Sequence, residues 1–176
     1  MNTLKTQNDN LILIPPNIER DAPLSVVWLA GDSGRETLRL MGNVPDNIKP
    51  TTLEAEKQRV SVFIKSTEQL TWMIEFEGKV VGSIWAHTEP TDFVKAPSIH
   101  IMIGDETARG KGVGKSSSIA VIDELRRTKQ YPTIYSRYIT DNSASASMLS
   151  STGFILVQKA YTDNDGLEWQ NVLLNL

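Results

Sequence analysis

The run Arg109-Gly110-Lys111-Gly112-Val113-Gly114-Lys115-Ser116 follows an aliphatic strand pattern, Ile99-His100-Ile101-Met102-Ile103, and leads into a helix-compatible run from Ser117 to Arg127. Few folds accommodate strand, glycine-rich turn and helix in that order. The glycines permit φ > 0 and leave the backbone open to close approach. The helix start exposes unpaired N–H groups at the positive end of its dipole. Lys111 and Lys115 add charge of the same sign. Together these features describe a phosphate cradle, so the segment implies a phosphorylated ligand.

Two kinds of phosphate loop occur in this context, and single residues separate them. A nucleotide-binding P-loop requires Gly-x-x-x-x-Gly-Lys-Ser/Thr. Gly114-Lys115-Ser116 supplies its end, but its first glycine falls on Arg109. No aliphatic strand ending in a magnesium-binding Asp follows downstream. The other pattern is Gln/Arg-x-x-Gly-x-Gly/Ala, which Arg109 to Gly114 match throughout. That pattern belongs to the GNAT superfamily of acyl-CoA-dependent N-acyltransferases, which the chain resembles. Further along come a strand over Thr133–Ile139, then Asn142 and Ser145, then Gly153-Phe154, in the order usual in that family. Ile103-Gly104-Asp105 and Asn142-Ser143-Ala144-Ser145 are similar to the branch that contains ribosomal-protein N-terminal acetyltransferases.

Composition narrows the alternatives. A chain of 176 residues with 40% hydrophobic and 22% charged residues suits one domain with one sizeable core, here residues 1–176. A net charge of −3 disfavours a general nucleic-acid partner. The absence of cysteine excludes disulfide scaffolds, zinc-thiolate sites and cysteine nucleophiles. No long apolar segment follows Met1-Asn2-Thr3-Leu4-Lys5, and no run elsewhere is long enough to span a membrane. The sequence therefore reads as cytoplasmic, without membrane or metal, and as a monomer or homodimer.

Periodicity orders the elements. Leu11–Ile14 reads as a strand stopped by Pro15-Pro16. Pro23 is expected to open a helix that Gly31–Gly34 interrupts and Arg35–Met41 resumes. Thr51 and Glu54 read as a capping box for a helix carrying Leu53, Val60 and Ile64. Strands over 70–76 and 80–86 flank a tight turn at Glu77-Gly78-Lys79. The helix after the loop is expected to end near Lys129 and Pro132. Phe154–Tyr161 and Leu167–Leu174 read as a last hairpin. The order predicts an α/β fold. The resemblance implies a mixed, mostly antiparallel sheet of about seven strands, helices on both faces, and a V-shaped splay between the fourth and fifth strands.

The resemblance implies acetyl-CoA as donor and a primary amine of unspecified identity, on a small molecule or a protein N-terminus, as acceptor. It places the pyrophosphate on Arg109, Gly110, Lys111, Gly112, Val113, Gly114 and Lys115, and the pantetheine arm along the backbone of Ile101, Met102 and Ile103 and beside Asn142. Asn142 also suits the N-cap of the short helix after it. Many relatives carry a catalytic Glu eleven positions before the loop Arg, where this chain has Ser98, and a Tyr seven positions after the Asn, where it has Leu149. His100 shares a strand face with Ser98 and titrates near neutral pH when unperturbed, which suits a general base. Glu75, or water acting as a relay, is the alternative. Ser145 matches a serine near the CoA sulfur in the ribosomal-protein branch and is the candidate donor to the leaving thiolate. Trp28, Trp72, Trp85 and Tyr161 are candidate linings of the acceptor pocket, and each equally suits the core. The missing Glu and Tyr keep open an acyl-CoA-binding protein without efficient catalysis. Gly114-Lys115-Ser116 keeps open a nucleotide binder.

Overall fold

The computed structural model describes residues 2–128 and 130–176. After β1 (Leu4–Lys5) and β2 (Leu11–Ile14) come three helices: α1 (Ile18–Trp28), α2 (Gly31–Leu40) and α3 (Leu53–Lys65). Strands β3 (Gln69–Phe76), β4 (Lys79–His87) and β5 (Ser98–Ile103) follow, then α4 (Val113–Thr128), β6 (Thr133–Ile139) and α5 (Ser143–Ser151). The chain closes with β7 (Ile155–Leu156), β8 (Tyr161–Thr162) and β9 (Glu168–Asn175).

The described residues form one nine-stranded sheet in the order β1-β2-β3-β4-β5-β6-β9-β7, with β8 also on β9. Every pairing is antiparallel except β5 with β6. The expected mixed, mostly antiparallel sheet is therefore present. Two extra strands arise from a short N-terminal strand and from a break in the expected Phe154–Tyr161 strand. There the Gln170 amide donates to Gln158 O at 2.7 Å, between the two short pieces.

Local chemistry moves several boundaries. Helix α1 starts at Ile18 rather than Pro23, because Asn17 caps it: the Asn17 side chain accepts from Arg20 N, and Asp21 Oδ2 accepts from Asn17 N at 2.7 Å. Pro23 thus lies inside the helix. Gly31 begins α2 instead of ending a helix. The cap of α3 is Thr52, which accepts from Ala55 N, while Thr51 bonds Glu56. Glu77 and Gly78, with φ of 52° and 75°, form the two-residue β3–β4 turn, and Lys79 belongs to β4. The expected end of α4 near Lys129 lies outside the described residues. The helix is described to Thr128.

Two apolar layers sandwich the sheet. On one face Leu13, Ile74, Ile84 and Ile99 pack with Val121 and Leu125 of α4. On the other, Met73 and Met102 pack with Trp28 and Leu29 at the end of α1. Of the tryptophans expected near the acceptor, Trp28 and Trp72 belong to these layers, being 8% and 2% exposed. The Trp28 indole lies flat over Gly104, just past β5, where a Cβ would overlap the ring. Gly104→Ala should therefore force Trp28 off Met102 and cost about 1–3 kcal/mol, read as a lowered denaturation midpoint with an unchanged slope. An unchanged midpoint would mean that the ring yields freely.

Candidate active site

Strands β5 and β6 pair only at Ser98 and Tyr135. Tyr135 N donates to Pro97 O at 2.9 Å, and the buried Ser136 hydroxyl donates to Ile99 O at 2.8 Å. Beyond that point the strands part. A cleft of about 640 Å³ runs from the gap to the start of α4, lined by Ile101–Ile103, by the loop at 109–115 other than Lys111, and by Asn142 and Ser145.

Strand alternation divides Ile101, Met102 and Ile103. Gly104 N donates to Val81 O on the β4 side, and Met102 O lies against Gly82 of β4. By alternation Ile99, Ile101 and Ile103 turn their backbone groups toward β6. Ile99 O is taken by Ser136 and Ile103 O by Arg109 Nε at 3.1 Å. Ile101 therefore presents a free N–H and C=O to the gap, whereas the Met102 backbone faces β4 and its side chain packs under Trp28. Of the three residues expected along the pantetheine arm, Ile101 and Ile103 turn backbone groups to the gap and Met102 does not.

The loop residues divide as well. Gly110 and Gly112 adopt φ of 71° and 79°, and nothing lies within 4 Å of where a Cβ would stand on either. Ser116 N bonds Gly112 O at 3.0 Å, which leaves the preceding first-turn amides as free donors. The Arg109 guanidinium is engaged within the protein, with Nε on Ile103 O and Nη2 on Thr37 Oγ1 at 3.0 Å. It braces the loop against α2. Lys111 turns away from the cleft, its ammonium 6.0 Å from the Phe76 ring, while Lys115 lines the cleft.

Helix α2 roofs the cleft through Glu36, Thr37, Leu40 and Met41. Arg109 holds it on one side. On the other, Arg39 pairs with Glu36 at 2.7 Å and with Asp141 at 2.9 Å. Those bonds to Arg39 keep the Glu36 carboxyl below its usual range.

Asn142 caps α5, its Oδ1 accepting from Ser145 N at 3.0 Å. That leaves the amide NH₂ for the cleft, so capping and ligand roles are compatible. Ser145 lines the cleft, and its hydroxyl has no hydrogen-bond partner among the described residues. Leu149, also on the wall, is 3% exposed.

His100 faces the cleft, but not as the near-neutral base the sequence suggested. Its Nε2 bonds Ser98 Oγ at 3.0 Å, its ring stacks on Trp85 at 5.6 Å, and His87 meets it edge-on at 5.3 Å. Burial first, then the neighbouring His87 and Arg137, push its pKa down to about 3. It is therefore neutral in any ordinary buffer. Glu75 is not on the cleft wall. Sequence reasoning missed Arg137, which the wall also carries. Its guanidinium lies 3.8 Å from the centroid of Trp169 and 4.7 Å from that of Phe93, and Nη1 donates to the Tyr161 hydroxyl at 3.4 Å. The available signal was a lone cation within the apolar strand pattern Ile134–Ile139.

Comparison with known proteins agrees with this geometry. The family model described as an acetyltransferase (GNAT) domain matches residues 10–155. The fold is shared with the RimL ribosomal L7/L12 alpha-N-protein acetyltransferase in complex with coenzyme A (16% identity, TM-score 0.80, covering 99% of this chain and 98% of that one). It is shared with the microcin C7 self-immunity acetyltransferase MccE in complex with acetyl-CoA and AMP (17%, 0.76, 96% and 94%). It is also shared with RimJ of Mycobacterium smegmatis in complex with CoA-disulfide (15%, 0.78, 99% and 87%). No curated protein matches the sequence. Among the described residues no helix is long and apolar enough to cross a membrane, and no group of three or more His, Cys, Asp or Glu is placed to hold a metal.

The depressed pKa of His100 has a sign that can be checked. Its ordinary value of 6.5 lies above the folded one, so the unfolded chain takes up a proton that the folded chain refuses. This contribution to stability is complete above about pH 6.5 and is lost as pH falls toward 3. His100→Asn should therefore lose less melting temperature than the parent between about pH 7 and pH 5. An NMR titration of the His100 ring with its midpoint near neutrality would overturn the assignment.

Proposed function

The chain belongs to the GNAT acetyltransferase family, and from that premise we propose that it transfers the acetyl group of acetyl-CoA to a primary amine by direct attack on the thioester, within one domain over residues 1–176. The observation that carries this reading is the unpaired β5 edge at Ile101, in line with the free amides at the start of α4. Those amides and Lys115 suit the pyrophosphate. The backbone of Ile101 and the Asn142 amide suit the two amides of a pantetheine arm. The glycines at 110 and 112 leave room for close approach.

In the proposed reaction the amine nitrogen forms a bond to the thioester carbon, the carbon–sulfur bond breaks, and the amine proton leaves to water. A backbone N–H at the gap meets the charge that develops on the carbonyl oxygen. Ser145, its hydroxyl otherwise unpartnered, donates to the departing thiolate. His100 enters as a neutral imidazole fixed by Ser98, and it orients the acceptor rather than taking its proton. Holding amine and thioester in near-attack geometry supplies most of the rate, up to about 7–11 kcal/mol.

Melting in the presence of ligands tests the reading. Acetyl-CoA at a hundred times its dissociation constant should add about 2.7 kcal/mol of stability, and Mg-ATP should add none. A shift with Mg-ATP alone would falsify the proposal in favour of a nucleotide binder. Gly112→Asp should abolish the acetyl-CoA shift, because its carboxylate meets the pyrophosphate while its Cβ meets nothing in the protein. The positive φ costs the variant itself only about 1–3 kcal/mol.

The buried Leu149 in place of an acid favours the second reading, a binder without efficient catalysis. Ser145→Ala separates the two. Loss of kcat with acetyl-CoA affinity intact assigns Ser145 to the leaving thiolate. Release of CoA no faster with an amine panel than without it would leave binding alone.

A further inference from the structure

We propose that Arg137 receives a carboxylate of the acceptor, so that the amine acetylated here carries a carboxylate a few bonds from its nitrogen, as a free amino acid does. The inference rests on the acyl-transfer reading and narrows its acceptor.

Position is the first argument. Tyr135 is the β6 residue paired with Ser98, and Arg137 lies two residues further on the same sheet face. His100 lies two residues beyond Ser98 on that face of β5. Arg137 and His100 therefore flank the point where the strands part. An acceptor entering from this face, opposite α4, meets Arg137 before it reaches the gap.

The state of the guanidinium is the second. Trp169 and Phe93 lie against it, so it stacks in a fixed plane while its N–H edge stays available. Trp169 is itself fixed by the bond from its Nε1 to Asp163 Oδ2 at 2.8 Å. Asp163 also accepts from the backbone of Asp165 and Leu167. Among the described residues no carboxylate lies within ion-pair distance of Arg137, and the Tyr161 hydroxyl at 3.4 Å is its recorded hydrogen-bond acceptor. Asp163 acts on Arg137 only from beyond ion-pair distance and is itself taken by Trp169, Asp165 and Leu167, so this half-buried cation has no direct anionic partner and suits one supplied from outside.

The neighbours leave this role to Arg137. Arg109 is engaged by Ile103 and Thr37, and Lys115 stands in the first turn of α4, at the other end of the cleft. Glu36, an acidic residue of the wall, is neutralised by Arg39. A planar guanidinium edge matches a carboxylate in two parallel bonds.

Acetylation assays on the full chain decide the matter, using free amino acids against their primary amides, and peptides with N-terminal Asp against Asn. The parent should prefer each acid over its neutral partner by about ten- to a hundredfold in kcat/KM, mainly through KM. Arg137→Gln should erase that preference while leaving the acetyl-CoA melting shift intact, and Arg137→Lys should restore part of it. Faster turnover of the acidic peptides than of free amino acids, with the same acid preference, supports the carboxylate and assigns its source to a peptide. Equal rates on acids and amides in the parent would overturn the proposal, as would an equal loss on both in Arg137→Gln, which makes Arg137 a packing residue only. Should Arg137→Gln fail to fold, the parent's acid-to-amide ratio decides alone. If acetyl-CoA binds and no amine is turned over, the acyl-transfer reading fails instead. The carboxylate is then read from melting of the CoA complex: a larger shift with the amino acid than with its amide supports it, and equal shifts overturn it.

Discussion

Strands β5 and β6 touch at a single register point, and the molecule's chemistry is arranged around that brevity. A longer parallel ladder would have consumed the backbone groups of Ile101. Two bonds close the contact, from Tyr135 N to Pro97 O and from the Ser136 hydroxyl to Ile99 O. The second bond gives a side chain to a carbonyl that would otherwise have sought the neighbouring strand. After it the strands have no common partner, so β5 stays with β4 and β6 with β9. The result is a strand edge inside the sheet, an arrangement that normally invites pairing with another extended segment. In the proposed complex the segment that pairs there is a ligand of amide-like chemistry.

The electrostatics of the cleft are one-sided. At one end stand the unpaired amides of α4 and Lys115. At the other stands Arg137. Between them lies His100, which burial first, then His87 and the Arg137 cation, keep uncharged. A substrate that is anionic at both ends and neutral at the reacting centre matches that distribution.

The strand–loop–helix unit was legible because glycine conformation and helix-start chemistry are local, and three of its glycines fall on consecutive even positions. The β3–β4 hairpin was legible for the same reason. Helix starts were less so: Asn17 and Thr52 won over Pro23 and Thr51 through bonds made by Asp21, Ala55 and Glu56, which spacing alone does not rank. Of the last hairpin the second strand was legible as β9, whereas the first was misread as one long strand, because its break is met by a side chain from β9. For the site, position was legible and state was not. His100 was found by its strand face. Its protonation depends on Trp85 and His87 of β4 and on Arg137 of β6, brought to it from two other strands. Arg137 escaped notice because its meaning lies in Phe93 and Trp169, which are distant in sequence.

Helix α2 roofs the cleft, and its apolar hold is Leu38 packed against the Trp28 layer. Its polar ties to the walls are the Arg109–Thr37 bond on one side and the Arg39–Asp141 pair on the other, and the Asp141 side chain is 60% exposed. An exposed pair of that kind is worth about 0–1 kcal/mol and weakens as salt is added. The Arg39 tie of the roof therefore depends on ionic strength, while its Leu38 contact and the sheet beneath it are fixed by packing. Asp141 adjoins Asn142, so release of Arg39 also frees the residue before the α5 cap. Salt therefore bears on the one tie that joins the roof to the start of α5, and leaves the Asn142 cap and the Leu38 packing to hold their own elements.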